Sequence, residues 1–159
     1  MSLLVSLARE CVRRRVSPVR LVARDPLTGA WNRLAWDVWG KRIRGVGYVA
    51  FDLDGFKELN DERGHAAGDR VLRQVGEILL RHTPRTFRLG GDEFLSLGPA
   101  SAPALRRIGR EVIEEIEAAD LGVTTSVGIG PNPEGADAAL YAAKRLGKNR
   151  ISHAIDRAW

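Results

Sequence analysis

Several stretches of the chain repeat apolar residues at the helical period and predict amphipathic helices. The strongest covers residues 66–82, where valine, leucine and isoleucine side chains fall on one stripe. The other stretches with this spacing are residues 31–43, 105–118 and 136–146. Gly147 follows the last of them, in the position where glycine often ends a helix. Residues 54–61 predict a short helix or a turn.

Short apolar runs between these helices predict strands. Residues 46–51 are almost continuously apolar, as in a strand that is covered on both faces. The remaining predicted strands are residues 86–89, 93–97, 123–129 and 150–154. Only Gly-Gly-Asp separates two of these strands, which predicts a hairpin and at least one antiparallel pair. We therefore expect an α/β fold with a mixed sheet of about five strands flanked by helices.

The first 24 residues differ from the rest of the chain. Residues 3–15 carry a modest apolar stripe and predict an amphipathic helix, and residues 25–29 predict a turn-rich linker. We accordingly divide the chain into an N-terminal segment, residues 1–24, and a body, residues 25–159. The segment holds six arginines and one glutamate, which accounts for the whole net charge of +5. Such a charge distribution favours a solvated helix face or a contact with an acidic surface. The segment could also pair with a second copy of the chain, dock on the body or bind a regulatory protein.

Composition narrows the class of protein. The chain has 159 residues, of which 44% are hydrophobic and 28% charged, as in one water-soluble globular domain. It has no apolar run that could cross a bilayer and no secretory signal, so we expect no transmembrane segment and a cytoplasmic location. The single Cys11 excludes an intramolecular disulfide. Because the body is neutral, we expect no nucleic-acid partner despite the basic total charge.

Acidic residues gather at the ends of two predicted strands. Asp52 and Asp54 follow the apolar run at residues 46–51, and Asp92 and Glu93 follow the glycines of the hairpin. Ligands of open α/β sheets favour the carboxyl ends of strands. Neighbouring carboxylates repel each other unless a cation lies between them, and Mg²⁺ prefers such oxygen ligands while it keeps positions for phosphate.

The residues around these acids leave two interpretations open. Gly90 and Gly91 could supply the positive φ of a tight turn, or could let a ligand approach the backbone. Lys57 lies three residues beyond Asp54, where its charge could meet phosphate oxygens. The acids could accordingly serve metal-assisted phosphoryl chemistry, or they could be surface carboxylates that cap helices.

Five blocks of the sequence resemble the GGDEF family of diguanylate cyclases. They read DPLTGAWNR at 25–33, FDLDGFKELND at 51–61, RGHAAGDRVL at 63–72, RLGGDEF at 88–94, and SVGIG with ADAALYAAKRLGKNR within 126–150. The resemblance implies a palm-like sandwich related to nucleotide cyclases. It also implies that the protein condenses two GTP into cyclic di-GMP and releases two pyrophosphates. Two protomers would meet face to face, each holding one GTP, so a homodimer is required for catalysis.

The resemblance also implies a role for each matching residue. Mg²⁺, or Mn²⁺ in its place, would bind Asp52, the backbone carbonyl of Leu53 and Asp92. The residues with implied catalytic roles are Asp92, which would deprotonate or orient the attacking hydroxyl, Glu93, which would assist it, and Lys57, which would stabilise the transition state. The residues implied to bind substrate are Asn60, His65, Asp69, Gly90, Gly91, Lys144 and Lys148. Among these, Asn60 and Asp69 would read guanine, and the two lysines would hold the terminal phosphates.

Two positions depart from the family pattern. Many members carry an inhibitory product site, Arg-x-x-Asp, shortly before the signature loop. Here that stretch reads Arg81-His82-Thr83-Pro84, and proline offers no carboxylate to a guanine edge. We therefore expect the feedback site to be absent or weak. Lys148 stands where the family more often has arginine, so the charge is kept but the bidentate fork is lost.

Each candidate residue taken alone also has an ordinary explanation. Asp69 could form a helix ion pair with Arg73, Asn60 could be a turn residue, and basic residues at a helix end complement its dipole. Three functions follow: an active diguanylate cyclase, a catalytically silent module that binds GTP or a protein, and a nucleic-acid binder. The intact signature acids favour the first, and the charge distribution disfavours the third.

Overall fold

The computed structural model describes residues 22–154, and a five-stranded sheet lies at its centre. The strands are β1 (Val46–Asp54), β2 (Thr86–Arg88), β3 (Glu93–Pro99), β4 (Thr124–Gly130) and β5 (Ile151–His153). They lie in the order β2-β3-β1-β4-β5, and every neighbouring pair is antiparallel except β4 and β5. The predicted mixed sheet with its central hairpin is confirmed. The predicted helix at residues 3–15 lies outside the described residues.

Helices cover both faces of this sheet. They are α1 (Arg33–Val38), α2 (Phe56–Arg63), α3 (His65–His82), α4 (Ala102–Ala118) and α5 (Pro133–Arg145), with a 3-10 turn at Gly40–Arg42. Side chains of a strand alternate between faces, so Val49 of β1 joins the core under α2, α3 and α4. Tyr48 and Ala50 join a second cluster with α1 and α5. By the same alternation, Asp52 and Asp54 lie on the face that α5 covers.

The structure differs from the predicted elements at two ends. The helix predicted over residues 31–43 stops at Val38, where the chain turns so that Gly40 can pack against rings. A Cβ at Gly40 would lie 2.4 Å from Trp36 and 3.1 Å from Phe87. Strand β1 continues past the apolar run to Asp54, because its last residues pair with β4. The two acids are therefore part of the strand rather than of the loop that follows it.

Residues 25–29 form an ordered turn, not a free linker. Asp25 accepts hydrogen bonds from the amide and hydroxyl of Thr28, at 2.9 and 2.7 Å, and from Arg88 of β2 at 3.0 Å. Thr28 is buried against α3, where a Cβ at Gly76 would lie 2.7 Å from its backbone oxygen. The sequence pattern showed the turn but could not show that Asp25 contacts the hairpin strand.

Candidate active site

Asp52 lies at the carboxyl end of β1, beneath helix α5. Its side chain is largely buried, and Lys144 of α5 places its Nζ atom 2.7 Å from Asp52 Oδ2. The helix can lie this close to the sheet because β4 has glycines where they meet. A Cβ at Gly128 would lie 2.1 Å from the carbonyl oxygen of Ala136, and Gly130 is similarly crowded. These glycines therefore determine how closely Lys144 approaches Asp52.

The hairpin between β2 and β3 carries the signature residues. The amide of Leu89 donates to the carbonyl of Glu93 at 2.9 Å, so residues 90–92 form the connection. Neither Gly90 nor Gly91 has a φ in the left-handed region, which excludes the interpretation that they supply the positive φ of a tight turn. A Cβ at Gly90 would lie 2.7 Å from Glu93 Oε2, whereas one at Gly91 would meet nothing within 4 Å. Gly90 makes room for the Glu93 carboxylate, and Gly91 leaves the outer side of the turn open.

Two arginines donate hydrogen bonds to backbone carbonyls of this hairpin. Arg88 donates from Nε and Nη2 to the carbonyl of Gly91, at 3.1 and 2.7 Å, while its Nη1 contacts Asp25. Arg33 of α1 donates to the carbonyl of Leu89 at 3.2 Å. Burial alone would raise the pKa of Asp25, but the hydrogen bonds from Thr28 and Arg88 lower it below its ordinary value. Asp25 therefore stays ionised as a partner for Arg88.

Acidic side chains from the strand and the hairpin meet at this point. Asp52 and Glu93 are register partners of β1 and β3. Burial raises the pKa of Asp92 above its ordinary value, and the charges of Asp52 and Glu93 add to that rise. Lys144 opposes it, as the one cation among these groups. Asp52 forms the ion pair with Lys144, and Arg33 lines the same cavity, so the three carboxylates still outnumber the cations beside them.

The acidic cluster offers oxygen donors of the kind that Mg²⁺ binds. Within residues 22–154, no group of three or more acidic, histidine or cysteine side chains is arranged to hold a metal ion. Mg²⁺ commonly takes one or two carboxylates and completes its shell with other oxygens. Leu53 pairs with Thr125 of β4 and has no register partner on β3. The residues that could hold such an ion are Asp52, Asp92 and, through its backbone carbonyl, Leu53.

Lys57, which is predicted to be catalytic, and three of the predicted substrate residues lie on α2 and α3. Lys57 is exposed in the first turn of α2, and His65 and Asp69 are exposed near the start of α3. Asn60 packs its amide against α3, where a Cβ at Gly68 would lie 2.0 Å from Asn60 Oδ1. These four residues lie on the two helices on either side of Gly64, whereas the acidic cluster lies on β1 and the hairpin. These predicted site residues thus form two groups: an acidic one on β1 and the hairpin, and one of basic, neutral and acidic side chains on α2 and α3.

A cavity of about 280 Å³ opens on the acidic cluster. Its lining includes Arg33, Asp52, Glu93, Tyr141 and Lys144. Tyr141 is exposed, and the other predicted phosphate ligand, Lys148, is exposed in the loop that follows α5. In the part of the chain that is described, no helix is long and apolar enough to cross a membrane.

Comparison with known proteins gives one consistent result. The family model described as diguanylate cyclase, GGDEF domain, matches residues 22–150. Diguanylate cyclase DgcP of Pseudomonas aeruginosa is 37% identical over 158 residues, which cover 80% of this chain and 23% of DgcP. Diguanylate cyclase DgcS of Shewanella oneidensis is 32% identical, over 79% of this chain and 50% of DgcS. The chain thus spans half or less of the length of these relatives.

Solved structures show the same likeness. The GGDEF domain of DgcB from Caulobacter crescentus, solved in complex with c-di-GMP, superposes with a TM-score of 0.76 at 32% identity. The match covers 84% of this chain and 96% of that domain. A longer DgcB structure with its coiled coil gives a TM-score of 0.79, over 93% and 92% of the two chains. These matches confirm the predicted palm-like sandwich fold.

Proposed function

This chain belongs to the GGDEF family of diguanylate cyclases, and from this membership we propose that it condenses two GTP into cyclic di-GMP. One observation carries the proposal: Asp52, Asp92 and Glu93 lie close together, and Lys144 and Arg33 do not balance all three charges. The pKa of Asp92 is raised by its burial and by the nearby acids. A site with this excess of negative charge favours a divalent cation and the phosphates bound to it.

The residues at the site can supply the remaining chemistry. A bound Mg²⁺ or Mn²⁺ would stabilise charge on the phosphate oxygens and favour ionisation of the attacking hydroxyl. Asp92 accepts the proton of a 3′-hydroxyl, whose oxygen bonds to the α-phosphorus of the second GTP as pyrophosphate leaves. Glu93 assists Asp92, and Lys57 and Lys144 stabilise the phosphate charge with Lys148.

Guanine recognition falls to the corner between α2 and α3. The Asp69 carboxylate can accept from both N1–H and the exocyclic amine of guanine, and adenine lacks that donor pair. Asn60 offers an amide close by, held against Gly68, and His65 lies at the start of the same helix. Each GTP is bound by one protomer and attacked by the GTP of its partner, so the active form is a homodimer.

We also propose that product feedback at residues 81–84 is lost. Arg81, the remaining member of the family's inhibitory motif, forms an ion pair with Glu115 of α4. The Thr83 hydroxyl donates to the carbonyl of Leu79 at 3.1 Å and contacts the Thr86 hydroxyl at 2.8 Å. A guanine edge would have to compete with Glu115 for Arg81, and Pro84 offers it no acceptor in exchange.

One experiment tests the cyclase proposal. The full chain at high concentration is incubated with GTP and Mg²⁺, and cyclic di-GMP and pyrophosphate are quantified by mass and by a coupled assay. We expect product from the wild-type protein and from Glu114→Ala, an exposed position on α4. Asp92→Ala should lose at least about 10²-fold in rate while it remains folded. Binding of GTP without product would instead favour the silent module, and no GTP binding would overturn the proposal.

A further inference from the structure

Asp54 ends strand β1 two residues beyond Asp52, yet its surroundings are different. Its side chain is buried, and its oxygens accept from the hydroxyl of Ser126 at 2.9 and 3.0 Å. The hydroxyl of Thr124 donates at 3.2 Å, and the backbone amide of Asn149 donates at 3.0 Å. Protein donors therefore occupy both oxygens. Asp54 is unsuited to bind a metal, although its position in the sequence resembles that of Asp52.

The Asn149 contact involves an unusual piece of backbone. Gly147, Lys148 and Asn149 have φ angles of 115°, 61° and 45°, so three consecutive residues adopt positive φ. For a lysine this conformation costs about 1–2 kcal/mol. The loop is held from two sides, since Asn149 also donates its side-chain amide to Glu117 of α4. Asp54 thus helps to stabilise a backbone shape that the residues of the loop do not favour by themselves.

This loop carries Lys148 directly after the helix that carries Lys144. The amide of Lys148 donates to the carbonyl of Ala143 at 3.1 Å, so the loop continues closely from the end of α5. Asp52 contacts Lys144 and Asp54 contacts Asn149, and both acids lie on the same strand and the same face. The strand that carries the proposed metal ligand therefore also holds the loop that carries the proposed phosphate ligand.

We propose that Asp54 is a positioning residue, which fixes the loop at residues 147–149 so that Lys148 meets the terminal phosphates of GTP. This inference rests on the proposed function. Without the carboxylate, the Asn149 amide loses its acceptor and the left-handed backbone can relax, which moves the Lys148 side chain. The alternative is that Asp54 only joins β1 to β4 through the hydroxyls of Ser126 and Thr124.

Nucleotide binding separates these two roles. The variant is Asp54→Leu, which keeps a branched side chain of similar length but offers no hydrogen-bond acceptor, and the matched control is Thr124→Val, which removes one hydroxyl from the same carboxylate but leaves the loop contact. We expect Asp54→Leu to weaken GTP binding with Mg²⁺ by about tenfold and to change GMP binding less than about twofold. Thr124→Val should leave both affinities close to wild type. Equal loss for GTP and GMP, or no loss for either, would overturn the proposal.

A double-variant cycle tests whether Asp54 affects GTP affinity through Lys148. If Asp54 acts through Lys148, adding Asp54→Leu to Lys148→Ala should cost less than about twofold in GTP affinity. Full additivity would show that Asp54 acts elsewhere and would refute the inference.

A third measurement needs no nucleotide. Amide hydrogen exchange of residues 146–150 should become faster in Asp54→Leu, while exchange in the central parts of β1 and β4 stays unchanged. Unchanged exchange at Asn149 would contradict the loop contact. Should the wild-type chain bind no GTP, the proposed function fails and so does the role of Lys148. Should it bind GTP but form no product, the affinity measurements on the Asp54 variant still test whether Asp54 positions the loop.

Discussion

Two acidic clusters on this domain experience opposite electrostatic environments. At the hairpin, burial and the charges of Asp52 and Glu93 raise the pKa of Asp92. Between α3 and α4, hydrogen bonds from His82 and Arg81 lower the pKa of Glu115. His82 Nε2 lies 2.8 Å from Glu115 Oε2. The second cluster is therefore neutralised by residues of the fold itself, whereas the first has more acids than the fold can balance.

This difference separates a structural cluster from a candidate site. His82 Nδ1 also lies 3.3 Å from Glu111, so the residues at the end of α3 join two helices. The hairpin cluster gains no comparable stability from its own charges, since like charges at short range oppose folding. An added cation would relieve that repulsion. A group of acids that lowers the stability of the fold is expected to serve a function instead.

The largest expected effect is on stabilisation by metal. With Mg²⁺ and a non-hydrolysable GTP analogue at about 100 times their dissociation constants, the wild-type domain should gain about 3 kcal/mol in free energy of unfolding. Asp92→Asn should gain little, because it lacks one of the two carboxylates that would bind the ion. Thermal melting with and without Mg²⁺ measures this. A gain equal to that of the wild type would show that the hairpin cluster is not the metal site.

Sequence patterns predicted the fold better than they predicted contacts. The apolar stripe at residues 66–82 agrees closely with the observed helix His65–His82, because burial on one face is a local, periodic signal. The same reasoning correctly grouped acids from β1 and the hairpin at one edge of the sheet. Their chemical roles stay proposals.

What the sequence did not reveal depends on residues far apart in the chain. The Asp54–Asn149, Asp25–Arg88 and Arg81–Glu115 contacts span 95, 63 and 34 residues. Asp52 and Asp54 look alike in sequence, and only the tertiary structure shows that one faces a lysine and the other three protein donors. The sequence also left two roles open for Gly90, and the structure shows that its missing Cβ makes room for the Glu93 side chain.

A smaller effect is expected from the hairpin cluster without metal. Asp92→Asn removes a repelling charge, so the metal-free domain should gain about 1 kcal/mol in free energy of unfolding at neutral pH. The folded state raises the pKa of Asp92 above its ordinary value of 3.8. The contribution of Asp92 to the free energy of unfolding is therefore complete below pH 3.8 and is lost as pH rises through the raised pKa. The advantage of Asp92→Asn should therefore shrink as the pH falls. Denaturation of both proteins across this range measures it, and an advantage that grows on acidification would contradict the assignment.

The smallest effect is expected at the neutralised cluster. Glu115 is partly exposed, so Glu115→Gln should cost about 1 kcal/mol or less in free energy of unfolding. The lowered pKa of Glu115 means that its contribution is present above its ordinary value of 4.5 and is lost as pH falls through the lowered value. Denaturant unfolding at pH 7 measures the cost of Glu115→Gln, and unfolding at pH 4 measures how far that cost decreases on acidification.

Arg81→Ala should have a similarly small cost and should leave inhibition of turnover by cyclic di-GMP unchanged, since Glu115 rather than product engages that guanidinium. Arg107→Ala, at another exposed arginine that pairs with an acid on α4, serves as the matched control. If Arg81→Ala alone relieved strong product inhibition, the ion pair with Glu115 would have to open in solution to admit product. The second cluster would then be a regulatory site rather than a structural one, and the contrast between the two clusters would no longer separate function from stability.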